Sequence, residues 1–142
     1  MNIHIGSDHA GYEMKEMVKG YLTTLGYTFT DHGTHSTDST DYPDYAHLVA
    51  KAVESESGRK GILLCGSANG VCMSANKHAG IRAALCWTPV IASLARQHND
   101  ANILCIPARF VSEEIAREMV EAFINVEFEG GRHQLRVDKI SA

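Results

Sequence analysis

Short apolar runs alternate with stretches of helical periodicity from one end of this 142-residue chain to the other. Residues 2–6, 27–31, 61–65, 81–86 and 103–106 read as strands, each only a few residues long. Between them apolar residues recur every three or four positions. Met14, Met17, Val18, Tyr21, Leu22 and Leu25 form one such face, Ala46, Val49, Ala50 and Val53 a second. Ile91, Leu94 and Ala95 form another, and Ile115, Met119, Val120, Phe123 and Ile124 the longest. Helix boundaries are marked as well. Gly26 stops the first helix, Pro43 suits a first turn, Thr88-Pro89 and Ser112 start helices, and Gly130-Gly131 ends one. Residues 68–78 read as a helix after a glycine turn, 32–41 as a polar loop, and 132–140 as a short basic helix.

Strand-helix alternation without a break predicts one three-layer α/β/α domain over residues 1–142. Its core is a five-stranded parallel, Rossmann-like sheet covered by helices on both faces, followed by a C-terminal helical tail. Crossovers in such a sheet are right-handed, and ligands bind beyond the carboxyl ends of the strands. Asp8-His9, the segment 65–70, Trp87 and Arg109 all follow predicted strands, so they are the first places to look for chemistry.

Composition narrows the function classes. A formal charge of −4 argues against a general nucleic-acid binder, which needs a basic surface. No apolar run reaches membrane-spanning length and the chain starts on a strand pattern, so the expectation is a cytoplasmic protein without a membrane partner. Cys65, Cys72, Cys86 and Cys105 lack CxxC spacing, and the eight histidines form no HxH or HExxH pair. Neither a metal nor a cofactor is expected. A nucleotide binder is disfavoured too, since no GxGxxG motif or P-loop lysine is present.

The segment Cys65-Gly66-Ser67-Ala68-Asn69-Gly70 carries the clearest chemical signal. A strand delivers a thiol and a hydroxyl into a tight turn whose backbone N–H groups converge, as they do where anions or oxyanions are held. Those donors are expected to lower the Cys65 pKa and ready it as a base, against the plain alternative of an inert strand-end cysteine. Asp8-His9 reads either as a helix cap or as a carboxylate and imidazole facing a ligand, and the adjacent histidine favours the ligand. His98 and Asn99 lie in a polar cluster ending the fourth helix, which could equally be a solvated terminus. Arg132 and Arg136 are i,i+4 neighbours able to grip one phosphate if the tail reaches a pocket, including that of another subunit.

Taken together, Gly6-Ser7-Asp8-His9-Ala10-Gly11, Asp41-Tyr42-Pro43-Asp44-Tyr45-Ala46, Cys65-Gly66-Ser67, Ala75-Asn76-Lys77, Gly80-Ile81-Arg82-Ala83, the segment from Arg96 to Asn102 and that from Glu129 to Val137 resemble the type B ribose-5-phosphate isomerases. That family also holds the galactose-6-phosphate isomerase subunits and an allose-6-phosphate isomerase. The resemblance spans nearly the whole chain. It implies cofactor-free, metal-free interconversion of ribose 5-phosphate and ribulose 5-phosphate through an enediolate, with a six-carbon aldose phosphate or a non-catalytic sugar-phosphate sensor as alternatives. By resemblance Cys65 is the base and Ser67 assists proton exchange at the sugar oxygens. Backbone N–H groups of Gly66, Ala68, Asn69 and Gly70 form the anion hole, and His98 opens the furanose ring. Asp8, Tyr42 and Asn99 hold hydroxyls, while His9, Arg109, Arg132 and Arg136 hold the phosphate. The resemblance also implies a homodimer or dimer of dimers with shared sites. One residue departs from the pattern. Ala68 stands where the family usually has glycine, which implies strain if the position needs positive φ.

Overall fold

The computed structural model describes residues 1–141. Five strands, β1 (Asn2–Ser7), β2 (Thr28–Asp31), β3 (Lys60–Cys65), β4 (Ala83–Leu85) and β5 (Ile103–Pro107), form one parallel sheet in the order β2-β1-β3-β5-β4. The helices are α1 (Tyr12–Thr24), α2 (Tyr42–Glu54), α3 (Asn69–Ala75), α4 (Pro89–Asn99), α5 (Glu113–Asn125) and α6 (Arg132–Asp138). This is the three-layer α/β/α architecture and helical tail that the sequence pattern predicts.

Side-chain alternation along the strands builds two cores. Ile3, Ile5, Ile62, Leu64, Leu104 and Ile106 point to the face covered by α1, α4 and α5, where they meet Val18, Leu22, Ala92, Met119, Val120 and Phe123. Leu63, Cys65, Ile103 and Cys105 point to the opposite face, against Val49, Ala50 and Val53 of α2 and Val71 and Ala75 of α3. Both faces of the central strands are therefore apolar, which is why these strands read as continuous hydrophobic runs rather than alternating ones.

The caps fall where sequence chemistry puts them. Thr88 accepts from the Ile91 N–H and Ser112 from the Ile115 N–H, while Pro89 occupies the first turn of α4. Gly130 and Gly131 both take positive φ between α5 and α6. Three elements need corrected bounds. Ala68 lies before α3, and α3 ends at Ala75 instead of running to residue 78. The fourth strand is only Ala83–Leu85, at the sheet edge, where it has one neighbour to pair with. The tail helix stops at Asp138 rather than 140.

The chain leaves β1 for one edge through β2 and then returns across β1 to β3 on the other side. That reversal opens a crevice between the carboxyl ends of β1 and β3, the usual ligand site of open α/β sheets. Residues 32–41 run beside this crevice, bonded to Ser7 and His9. A buried charge anchors them. Lys15, fully enclosed in α1, bonds both carboxylate oxygens of Asp31 at 2.6 and 2.7 Å, and Asp31 in turn accepts the Gly33 N–H at 2.8 Å. Burial alone would raise the Asp31 carboxyl, but hydrogen bonds from Lys15, Lys19 and Gly33 pull it below its usual range. Removing one partner of a buried pair leaves an uncompensated charge, although Lys19 at 2.8 Å remains for Asp31. Lys15→Met is expected to cost about 2 to 4 kcal/mol in urea unfolding. A loss under about 0.5 kcal/mol would show that the pair anchors nothing.

Candidate active site

At the β1/β3 crevice lies an open cleft of about 320 Å3 lined by Asp8, His9, Ala10, Tyr42, Cys65, Gly66, Ser67, Gly70 and Arg109. Its floor is the turn from β3 to α3. Ala68 there takes φ 64° and ψ 1°, the left-handed region that costs an L-residue roughly 1 to 2 kcal/mol. Its methyl is fully buried against the α2/α3 core, and a buried methyl recovers about 0.8 kcal/mol. The departure from glycine is thus strained, with burial of the methyl offsetting part of the cost.

In that turn the backbone N–H groups of Ser67, Ala68 and Val71 lie near enough to the Cys65 sulfur to favour its thiolate. The expected lowering of the thiol pKa is nonetheless not met. Cys65 is only 6% exposed, burial pushes its pKa above the ordinary thiol value, and the Asp8 carboxylate adds to this against the three N–H groups. Donor convergence was legible in the sequence. The depth of burial that outweighs it was not.

Two loop glycines are contact surfaces. A Cβ on Gly66 would lie 3.2 Å from the Arg109 guanidinium, and one on Gly70 would lie 2.4 Å from the Tyr42 ring. Glycine at both positions lets these side chains close on the loop from either side. The backbone seats Arg109 as well, through its N–H to the Gly66 carbonyl at 3.0 Å. Asp8 caps the turn His9–Gly11 through the Gly11 N–H at 3.1 Å and also lines the cleft. Ser67 and Asn69 are exposed and linked by the Asn69 side-chain amide at 3.3 Å. Ala68 offers the cleft no side chain, since it is fully buried.

The remaining candidates stand elsewhere. His98 and Asn99 end α4, while Arg132 and Arg136 are exposed on α6, which packs on α4; none of them lines the Cys65 cleft of their own chain. Around His98 the structure adds two residues that the sequence reading did not single out. His133 stacks on His98 with centroids 4.2 Å apart and planes at 11°, and Glu129 lies 3.8 Å from His98 and 3.6 Å from His133. The i,i+4 spacing of Glu129 and His133 was the available signal. Burial, with His98 and Arg132 nearby, holds His133 below the ordinary histidine range.

The ligand atoms of His98, Glu129 and His133 fall within 4.8 Å of one another, the one grouping of metal-ligand type among the described residues. A metal must lie near the plane of each imidazole that binds it. Stacked, nearly parallel rings do not meet that condition together, so the arrangement is a poor chelate as it stands. Arg96, from the same polar cluster, is structural: it is buried and bonds the Val126 and Ala101 carbonyls and Asp100.

A family model for Ribose/Galactose Isomerase matches residues 3–140. The chain belongs to that family. Ribose-5-phosphate isomerase B of Escherichia coli is 45% identical over 140 residues, covering 99% of this chain and 94% of the relative. A crystal structure of ribose-5-phosphate isomerase B from Mycoplasma genitalium with bound ribulose-5-phosphate is similar with a TM-score of 0.95. It is 46% identical and covers 98% of this chain and 93% of that one. A D-erythrulose-4-phosphate isomerase of Pectobacterium atrosepticum is 39% identical, over 99% of this chain and 93% of its own. Within the Ribose/Galactose Isomerase family, then, members similar to this chain along its length are named for sugar phosphates of different length.

The buried thiol has a measurable consequence. Alkylation of Cys65 by iodoacetamide, followed by peptide mass spectrometry to separate it from Cys72, is expected to rise with pH along a curve whose midpoint lies above that of an exposed thiol (about 8.5). A midpoint below that value would mean that the N–H groups win over burial.

Proposed function

We propose that this chain is an aldose-ketose isomerase that interconverts D-ribose 5-phosphate and D-ribulose 5-phosphate through an enediolate. The observation that carries the reading is the cleft itself. It sets the Cys65 sulfur, the Ser67 hydroxyl, the Asp8 carboxylate and the Arg109 guanidinium around one opening, in a chain whose relatives named for this activity match it end to end.

In this reading Cys65 takes the proton from C2 of the open-chain aldose and returns it to C1. The raised thiol pKa fits the task. Each unit above ambient pH costs about 1.4 kcal/mol in thiolate population, but the thiolate that forms is a stronger base toward a C–H bond. Charge built on the sugar oxygen meets those N–H groups of the 66–70 segment that the sulfur does not engage, and losing one such donor typically costs roughly 3 to 4 kcal/mol. Ser67 exchanges protons with the sugar oxygens, and Asp8 and Tyr42 hold hydroxyls. Arg109 and His9 bind the phosphate, whose binding energy positions the reacting carbons at a distance. No metal takes part in these steps, so a chelator is expected to leave turnover unchanged.

The second half of the machinery comes from another copy of the chain. His98, which opens the ring, Asn99, and the phosphate-binding Arg132 and Arg136 lie on a face that does not meet their own cleft. Large apolar side chains stand exposed beside them: Val90 and Leu94 on α4, Leu135 on α6, and Trp87 just before α4. Exposed apolar surface of that kind marks association, and a homodimer, alone or paired into a tetramer, places each group opposite a partner's cleft. A cytoplasmic location belongs to the same proposal, supported by four free cysteines.

One set of proteins tests the chemistry and the sharing together. Wild-type protein should convert ribose 5-phosphate to ribulose 5-phosphate, faster than it turns over allose 6-phosphate or galactose 6-phosphate. Cys65→Ala and His98→Asn should each lose turnover by at least about a hundredfold. Co-expressed, they should regain about a quarter of wild-type activity, because half of the randomly mixed dimers hold one intact site of two. No recovery would mean that each cleft is complete in one chain. Binding without turnover by wild-type protein would favour a sensor.

A further inference from the structure

Residues 32–41 contain no helix or strand, yet the segment is held near both of its ends. Near the start of the segment, Ser7 donates to the Gly33 carbonyl and Thr34 donates to the Ser7 carbonyl, each at 2.7 Å. The other end is held by a reciprocal pair with His9. The His9 N–H donates to the Thr40 hydroxyl at 3.2 Å, and the Thr40 N–H donates to His9 Nδ1 at 3.1 Å.

The second of these bonds has only one chemical reading. A peptide N–H can only donate, so Nδ1 must present a lone pair. While the bond stands, the ring is neither the Nδ1–H tautomer nor imidazolium. Its single proton sits on Nε2, which no other group among the described residues engages, and the ring lines the cleft. We infer that Thr40 is a positioning residue whose backbone N–H holds His9 as the neutral Nε2–H tautomer, so that His9 meets the anionic end of the substrate as an uncharged hydrogen-bond donor.

This inference rests on the sugar-phosphate reading for the identity of the anion, but not for the tautomer. It assigns different work to the groups around the phosphate. The arginines supply charge, and His9 supplies a directed N–H at a fixed angle. Thr40 also lies two residues before Tyr42, the first residue of α2. The joint thus lies just ahead of the residue whose ring approaches the loop at Gly70.

Long-range 1H–15N spectra of the full-length protein in alkaline buffer, where imidazoles are neutral, read the tautomer directly. The expected result is a His9 Nδ1 shift typical of a bare nitrogen and an Nε2 shift typical of a protonated one. The reverse pattern, or an averaged pair, overturns the proposal, and neither outcome depends on turnover. Substitutions give a second readout. Gln at position 9 can place an amide N–H near the Nε2 position, whereas Asn reaches only as far as Nδ1. KM for ribose 5-phosphate should stay within about fivefold of wild type in His9→Gln and rise more than about tenfold in His9→Asn. Thr40→Val keeps the N–H and should keep the tautomer, while Thr40→Pro removes it and should raise KM about fivefold or more with kcat within about twofold. Equal losses in His9→Gln and His9→Asn would overturn the donor role. If wild-type protein fails to isomerise ribose 5-phosphate, the functional reading falls while the spectra still decide the tautomer.

Discussion

The reversal of the chain at Ala68 is the constraint on which the cleft depends. Strand β3 must end, turn and start α3 within a few residues, and it does so through a left-handed backbone at position 68 that leaves the N–H groups of Ser67, Ala68 and Val71 near the Cys65 sulfur. Alanine is accommodated there with its methyl buried in the α2/α3 core, which offsets part of the dihedral cost. A loop shaped by side-chain bonds alone would be looser. Here the core beneath it fixes the backbone, and Tyr42 and Arg109 press on it through Gly70 and Gly66.

Strand order decides what else reaches that loop. Because β1 and β3 are neighbours and their connections leave in opposite directions, Asp8 and His9 face the thiol across the crevice. The segment 32–41 beside the cleft has no secondary structure to keep it in place. It is bonded to Ser7 at the end of β1, to His9 in the turn that follows, and through Gly33 to Asp31 of the buried Lys15–Asp31 pair. The cleft is thus rigid on one side and supported by charge on the other, while its outer side is left to His98 and the arginines of a second chain in the proposed assembly.

Much of this was legible in the sequence. Alternation of apolar runs gave the strand count and parallel layering, and Thr88, Pro89 and Ser112 marked helix starts by chemistry that is local. Edge effects were less legible. The apolar run 81–86 becomes a three-residue strand because a sheet margin offers one partner, and α3 ends early. Around the site, the turn residues announced themselves, but the sign of the Cys65 shift depended on how deeply the sulfur is enclosed, which no local pattern encodes. The stacking of His133 on His98, and the role of Thr40 in a segment that reads only as polar loop, arise from residues brought together by the fold.

Proton transfer by the Cys65 sulfur is the central claim, and hydrogen exchange with solvent tests it without relying on net turnover. With ribose 5-phosphate in deuterated water, wild-type protein should introduce deuterium at the carbons that exchange the proton, and Cys65→Ala should do so at least about a hundredfold more slowly while still binding the sugar phosphate. Deuterium entering at the wild-type rate in that variant would contradict the account.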